Sequence, residues 1–110
     1  MRINLPHCFK TIDRFSEGVA TSIKSIDMGA KSYIGAGKVF DVLKGYIDVL
    51  MQFKGGSRAG VIIKEADITS KVLQVAIKPF GTSLMQWVEI AKAWQYAYKN
   101  NIGFQLRLIK

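Results

Sequence analysis

Residues 9–26, FKTIDRFSEGVATSIKSI, decide the architecture of this chain. Residues 9–15 alternate as F-K-T-I-D-R-F, and residues 19–26 read V-A-T-S-I-K-S-I. Ser16-Glu17-Gly18 lies between them. Small turn residues between two β-capable runs predict a hairpin. Period-two alternation puts Phe9, Thr11, Asp13 and Phe15 on one face, and Ser22, Lys24 and Ile26 on one face of the second strand. Pairing across the short turn can bring Asp13 and Lys24 to one surface. The register is not set by the sequence, and a slip of one residue turns a strand over.

Outward from the hairpin, residues 27–37 (DMGAKSYIGAG) are loop-like. Residues 38–53 have helical periodicity, with Val39, Phe40, Leu43, Tyr46, Ile47, Leu50 and Phe53 on one broad face. Gly45 weakens that helix by about 1 kcal/mol relative to Ala and marks a candidate close approach of backbone. Lys54-Gly55-Gly56-Ser57 is a stop signal. Residues 59–64 (AGVIIK) form a short strand, and 72–77 (VLQVAI) another, stopped by Pro79. Thr82 or Ser83 caps a second helix that runs to about Tyr98. Its expected buried stripe is Leu84, Trp87, Val88, Ala91, Trp94 and Tyr98. Residues 104–109 alternate as a last strand. The order ββαββαβ implies an α/β (α+β) domain, a mixed sheet flanked by two main helices.

A chain of 110 residues supports one domain, 1–110, with one core. No apolar run is long enough to span a bilayer, and the N-terminus lacks the apolar centre of a signal peptide. No stable membrane insertion is expected. The chain has the size of one module of a longer protein. The single cysteine, Cys8, cannot close an internal disulfide and is expected to be a small, partly buried hydrophobe near the hairpin. The net charge of +8 comes from 16 basic and 8 acidic residues. Residues 71–110 carry six basic residues against Glu89 alone. Such a field draws in polyanions, an acidic protein or an anionic membrane.

Asp13, Glu17 and Lys24 are the residues best suited to chemistry. Cleaving a phosphodiester takes a held and deprotonated water and positive charge on the developing oxyanion. A divalent metal held by carboxylates supplies both functions. Asp13 and Glu17 are the expected metal ligands and Lys24 the charge stabiliser, and the same residues also suit a plain hairpin salt bridge. Ser22 alternates outward with Lys24, and Asp27 at the strand exit can reach a site edge or cap its loop. His7, the only histidine, can shuttle a proton or contact nucleic acid. Asp41 and Asp48 lie two helical turns apart, too far to share a metal, on a solvated face. Gln86, with Thr82 and Ser83, sits where free helix amides favour phosphate. Lys54, Arg58 and Lys64 form a basic run suited to backbone contact. No phosphate loop, dinucleotide fingerprint or zinc spacing is present, and no small-molecule cofactor is expected.

The runs FKTIDRFSEGVATSIKSIDMGAKSY and KGYIDVLMQFKG, continued by QVAIKPFGTSLMQWVEIAKAWQYAYKNNIGFQLRLI, resemble a known family. It comprises the polymorphic C-terminal toxin domains of CdiA exoproteins of contact-dependent growth inhibition and related filamentous-haemagglutinin-like proteins. ATSIKSID and the downstream GYID carry the resemblance most strongly. It implies a restriction-endonuclease-like, PD-(D/E)xK-type nuclease toxin at the end of a large secreted or cell-surface exoprotein. Such a toxin acts in the target-cell cytoplasm, most often on tRNA, and is neutralised by a cognate immunity protein. With +8 on the toxin, that partner is expected to present an acidic surface. The resemblance makes Asp13 the acid of the first core strand and Lys24 the lysine of the (D/E)-x-K element, with Mg2+ as the implied metal. Ser22 stands where that element has its second acid, so Glu17 or Asp27 is expected to take the role. The alternatives are a metal-independent barnase- or colicin-like RNase using His7 and Lys24, a DNase, or a non-enzymatic basic nucleic-acid-binding or adaptor module.

Overall fold

The chain is described by a computed structural model over residues 2–4, 12–58 and 61–109, with the side chains of 2–4, 57–58 and 61 outside that description. The strands are β1 (Arg2–Asn4), β2 (Arg14–Ser16), β3 (Val19–Ile26), β4 (Gly55–Arg58), β5 (Val61–Lys64), β6 (Ser70–Ile77) and β7 (Ile102–Leu108). The helices are α1 (Lys38–Gln52) and α2 (Leu84–Lys99). One five-stranded sheet runs β1-β2-β3-β6-β7, and β4 and β5 pair in a separate hairpin. β1, β2 and β3 are antiparallel, whereas β3, β6 and β7 are parallel, so the sheet is mixed as the sequence predicts. Parallel neighbours need long crossovers. The β3–β6 connection contains α1, and the β6–β7 connection is α2.

The β2–β3 turn follows from its two central residues. Glu17 (φ 50) and Gly18 (φ 84) both have positive φ, the requirement of a two-residue turn that matches strand twist. Gly18 is further constrained because a Cβ there would lie 2.5 Å from Thr69 Oγ1. The register it sets is Arg14↔Thr21, Phe15↔Ala20 and Ser16↔Val19. Ser16, expected in the turn, is therefore the last residue of β2. The strand expected over 9–15 is described only from residue 12 onward, and its ladder begins at Arg14.

The core lies between one face of the sheet and the two helices. Ala20 and Ile26 of β3, Leu73, Val75 and Ile77 of β6, and Ile102 and Phe104 of β7 are buried there with Val39, Leu43, Ile47 and Leu50 of α1 and Ile90, Ala93 and Ala97 of α2. The α1 stripe is the one its periodicity predicts. Both ends of α1 are tied by residues distant in sequence. Phe40 N in the first turn donates to Glu89 Oε1 of α2 at 3.0 Å, and Lys71 Nζ of β6 donates to the Met51 carbonyl at 2.8 Å. A carboxylate at a helix start and a cation at its end both oppose the helix dipole favourably.

The order of strands and main helices is βββαβββαβ rather than the expected ββαββαβ, because β1 and β4 join the strands predicted. Three further expectations are corrected. The buried side of α2 is Gln86, Glu89, Ile90, Ala93 and Ala97, while Leu84 and Tyr98 are each 81% exposed and Val88 and Trp94 are also exposed. The helix is apolar on two sides, and buried hydrogen bonds by Gln86 and Glu89 select the more polar one. Gly55-Gly56 is not only a stop signal but half of the β4–β5 hairpin. Gly55 (φ 98) is required there, since a Cβ would lie 2.2 Å from the Ile63 carbonyl oxygen. Gly45, by contrast, marks no close approach: a Cβ would meet nothing within 4 Å.

Candidate active site

Asp13 stands where β2 parts from β3. Its amide still donates to the Thr21 carbonyl at 2.8 Å, but the next amide on β3, that of Ile23, donates to Asp13 Oδ2 at 2.7 Å. The carboxylate thus replaces a backbone carbonyl at the end of the ladder. A hydrogen bond to an ionised acceptor is among the stronger kinds, so the side chain is held by the main chain of β3. This places Asp13 against Ser22-Ile23-Lys24, with Oδ1 making no hydrogen bond to the described residues.

Lys24 faces the helices, opposite Val75 in the parallel ladder, and is half-buried. Its Nζ lies 5.1 Å from the centroid of the Tyr46 ring on α1. Among the described residues it makes no ion pair, and the one ion pair between described side chains is Lys44–Asp48. Tyr46 is half-buried, and burial followed by the nearby Tyr33 phenol pushes its hydroxyl above the ordinary value. The ring is therefore neutral at physiological pH, with its electron-rich face available to a cation. Ser22 is on the same strand face but only 3% exposed.

The other expected residues do not converge on this point. Glu17 is in the turn at the far end of β2, about 13 Å along the strand from Asp13. It lines a cavity of about 420 Å³ with Arg14, Ser16, Thr21, Val72 and Gln105 instead. Asp27 lies beyond the end of β3 and closes its own loop by accepting from Gly29 N at 3.0 Å. Gln86 does not face nucleic acid. It is 4% exposed, its Oε1 accepts from Ser83 N at 2.9 Å, and its Nε2 donates to the Met28 and Tyr33 carbonyls at 2.9 and 3.0 Å. Ser83 Oγ accepts from Gln86 N at 3.1 Å, and Thr82 Oγ1 donates to the Lys78 carbonyl. These side chains are thus used within the fold, completing a capping box. Lys54 is exposed just after α1, and Arg58 closes β4. His7 and Cys8 lie outside the described residues.

The fit to a divalent metal is poor among the described residues. No group of three or more His, Cys, Asp or Glu side chains gathers, and Asp13 is the one carboxylate placed on the Ser22–Lys24 segment. One carboxylate oxygen without a partner among the described residues is too few donors for a hard dication, so no step below passes through a metal. The residue that sequence reasoning missed is Tyr46. It lies in the GYID stretch, where periodicity places it on the apolar face of α1, and no local pattern announces that its ring meets a lysine 22 positions earlier.

Residues 1–107 match a family model described as the CDI toxin restriction endonuclease-like domain. The chain is 32% identical over 109 residues to "Deoxyribonuclease CdiA" of Yersinia pseudotuberculosis serotype O:3 (strain YPIII), covering 96% of this chain and 10% of that protein. The chain thus spans about a tenth of that relative's length. Among solved structures it is similar to the "CdiA-CT/CdiI toxin and immunity complex from Yersinia pseudotuberculosis", with a TM-score of 0.84 and 28% identity, covering 97% of this chain and 88% of that one.

Proposed function

The chain belongs to the family of CDI toxin restriction endonuclease-like domains, and from that premise we propose that it is a nuclease toxin that hydrolyses phosphodiester bonds of DNA. The observation that carries the reading is the anchoring of Asp13 to the Ile23 amide beside Lys24, whose ammonium makes no ion pair with any described acid. The name of the Yersinia relative favours DNA over the tRNA suggested by sequence resemblance.

In this mechanism the phosphate approaches the Lys24 ammonium. Asp13 Oδ1 orients a water and accepts its proton as the water oxygen bonds to phosphorus. Lys24 stabilises the negative charge that builds on the phosphoryl oxygens, and the ester oxygen leaves with a proton from solvent. The field of a +8 domain speeds encounter with the polyanion. The domain acts as the C-terminal part of a large exoprotein delivered into a neighbouring cell's cytoplasm. A cognate immunity protein with an acidic surface neutralises it, as suggested by the toxin–immunity complex of the structural neighbour.

The test is incubation of the purified domain with plasmid DNA and, separately, with total tRNA, each with and without EDTA. Plasmid cleavage by the wild type, lost in Asp13→Asn and Lys24→Met variants that melt like it, is expected. Loss of cleavage with EDTA would assign a metal; persistence would assign the reaction to the side chains alone. Cleavage of tRNA but not of plasmid would overturn DNA as substrate. Cleavage of neither would overturn the nuclease reading.

A further inference from the structure

We propose that Tyr46 is a positioning residue for Lys24, holding its ammonium over the ring face and apart from Asp13 until phosphate arrives. The inference rests on the nuclease reading above and deepens it. Asp13 lies against the backbone next to Lys24, yet the two side chains form no ion pair. Here the ammonium instead lies 5.1 Å from the Tyr46 centroid.

The choice of partner has a chemical consequence. An ion pair with Asp13 would occupy both groups, and phosphate would have to break it before either could act. An aromatic face stabilises a cation through its quadrupole without contributing a formal charge. The ammonium is therefore not neutralised by an ion pair among the described residues, and Asp13 Oδ1 has no partner among them. The ring is fixed on a rigid element: Tyr46 lies on α1 between the buried Leu43 and Ile47, and α1 is tied at both ends through Glu89 and Lys71. Tyr33, which interacts electrostatically with the Tyr46 phenol, lies in the segment whose carbonyl accepts from Gln86. The ring face, rather than the hydroxyl, carries the role.

The experiment compares wild type with Tyr46→Phe, Tyr46→Leu and Tyr46→Met in two readouts. The first is the ring-current shift of the Lys24 ε-methylene protons, measured by NMR on lysine-labelled protein without substrate. An upfield shift is expected in wild type and Tyr46→Phe, and its loss in the Leu and Met variants. The second is steady-state cleavage of DNA. Tyr46→Phe should keep wild-type kcat, and the two aliphatic variants should lose about tenfold in kcat with KM changed much less. Two aliphatic variants guard against one failing to fold, and each is assayed only below its melting transition. Absence of the wild-type shift, or full activity in a folded aliphatic variant, overturns the inference while leaving the nuclease reading intact. A tenfold loss in Tyr46→Phe also overturns it, since the hydroxyl would then be the working group. A wild type that cleaves no nucleic acid overturns the nuclease reading and this role with it.

Discussion

Replacing Gln86 with Ala tests whether a residue first assigned to phosphate binding is instead an internal latch. The amide joins two segments through three bonds: the α2 N-terminus through Ser83 N, and the loop after β3 through the Met28 and Tyr33 carbonyls. Truncation leaves two carbonyls without this donor in a place from which water is nearly excluded, since Gln86 is 4% exposed. A carbonyl keeps a second lone pair, so each loss falls near the low end of the cost of an orphaned group, about 1 kcal/mol. Losing the side-chain half of the capping box adds about 0.5–1 kcal/mol. The sum is about 2–3 kcal/mol. For 110 residues, with a melting entropy of about 2.1 cal/mol/K per residue, this lowers the midpoint by about 10 °C. Urea denaturation should show a reduced midpoint at unchanged slope. Gln86→Glu should be worse at neutral pH, because a carboxylate oxygen would then face both carbonyls, and it should recover in acid as the carboxyl regains a proton. In the cold, where both proteins are folded, Gln86→Ala should bind DNA as wild type does. A stability loss under about 0.5 kcal/mol, the level of an ordinary surface change, would refute the latch. Weakened DNA binding at full folding would return Gln86 to the interface.

Glu89→Ala should cost about 1–3 kcal/mol in the same denaturation assay, because the Phe40 amide loses its acceptor. Glu89→Gln should cost less than Ala, since it keeps an acceptor for that amide and replaces an Oε2 that is buried without a partner among the described residues. Asp48 accepts from the Tyr96 hydroxyl and from Lys44, and these two bonds hold its carboxyl below the ordinary value. A depressed carboxylate stabilises the fold above its unfolded pKa and loses that contribution as pH falls through the folded one. Melting temperatures of wild type and Asp48→Asn should therefore converge below about pH 4. Gly18→Ala should destabilise by at least about 1 kcal/mol, from positive φ alone, with further cost from the contact with Thr69. An unchanged urea midpoint would mean the turn can change type.

The hairpin, both helices and the mixed sheet were legible because they rest on local patterns. Glu17-Gly18 sets a turn, and Val39, Leu43, Ile47 and Leu50 repeat at the helical period. The inward side of α2 was not legible, since Leu84, Val88 and Tyr98 make as good a stripe as the one buried. The decision lies in hydrogen bonds that Gln86 donates to residues 53 and 58 positions away and that Glu89 accepts from one 49 away. In the candidate site, Asp13 and Lys24 were legible as residue types on adjacent strands. Their arrangement was not, because Asp13 binds a backbone amide and Lys24 meets an aromatic ring. Neither contact leaves a trace in charge pattern or spacing.

The anchoring of Asp13 to the Ile23 amide also has a consequence for sequence variation. Every residue except proline offers that N–H, so the acid's position does not depend on which side chain occupies position 23. Ile23 itself is 41% exposed. Position 23 is therefore free to diversify, altering what the surface presents to a partner while the acid beside it stays in place. Only proline is barred, because it would take away the donor on which the carboxylate rests.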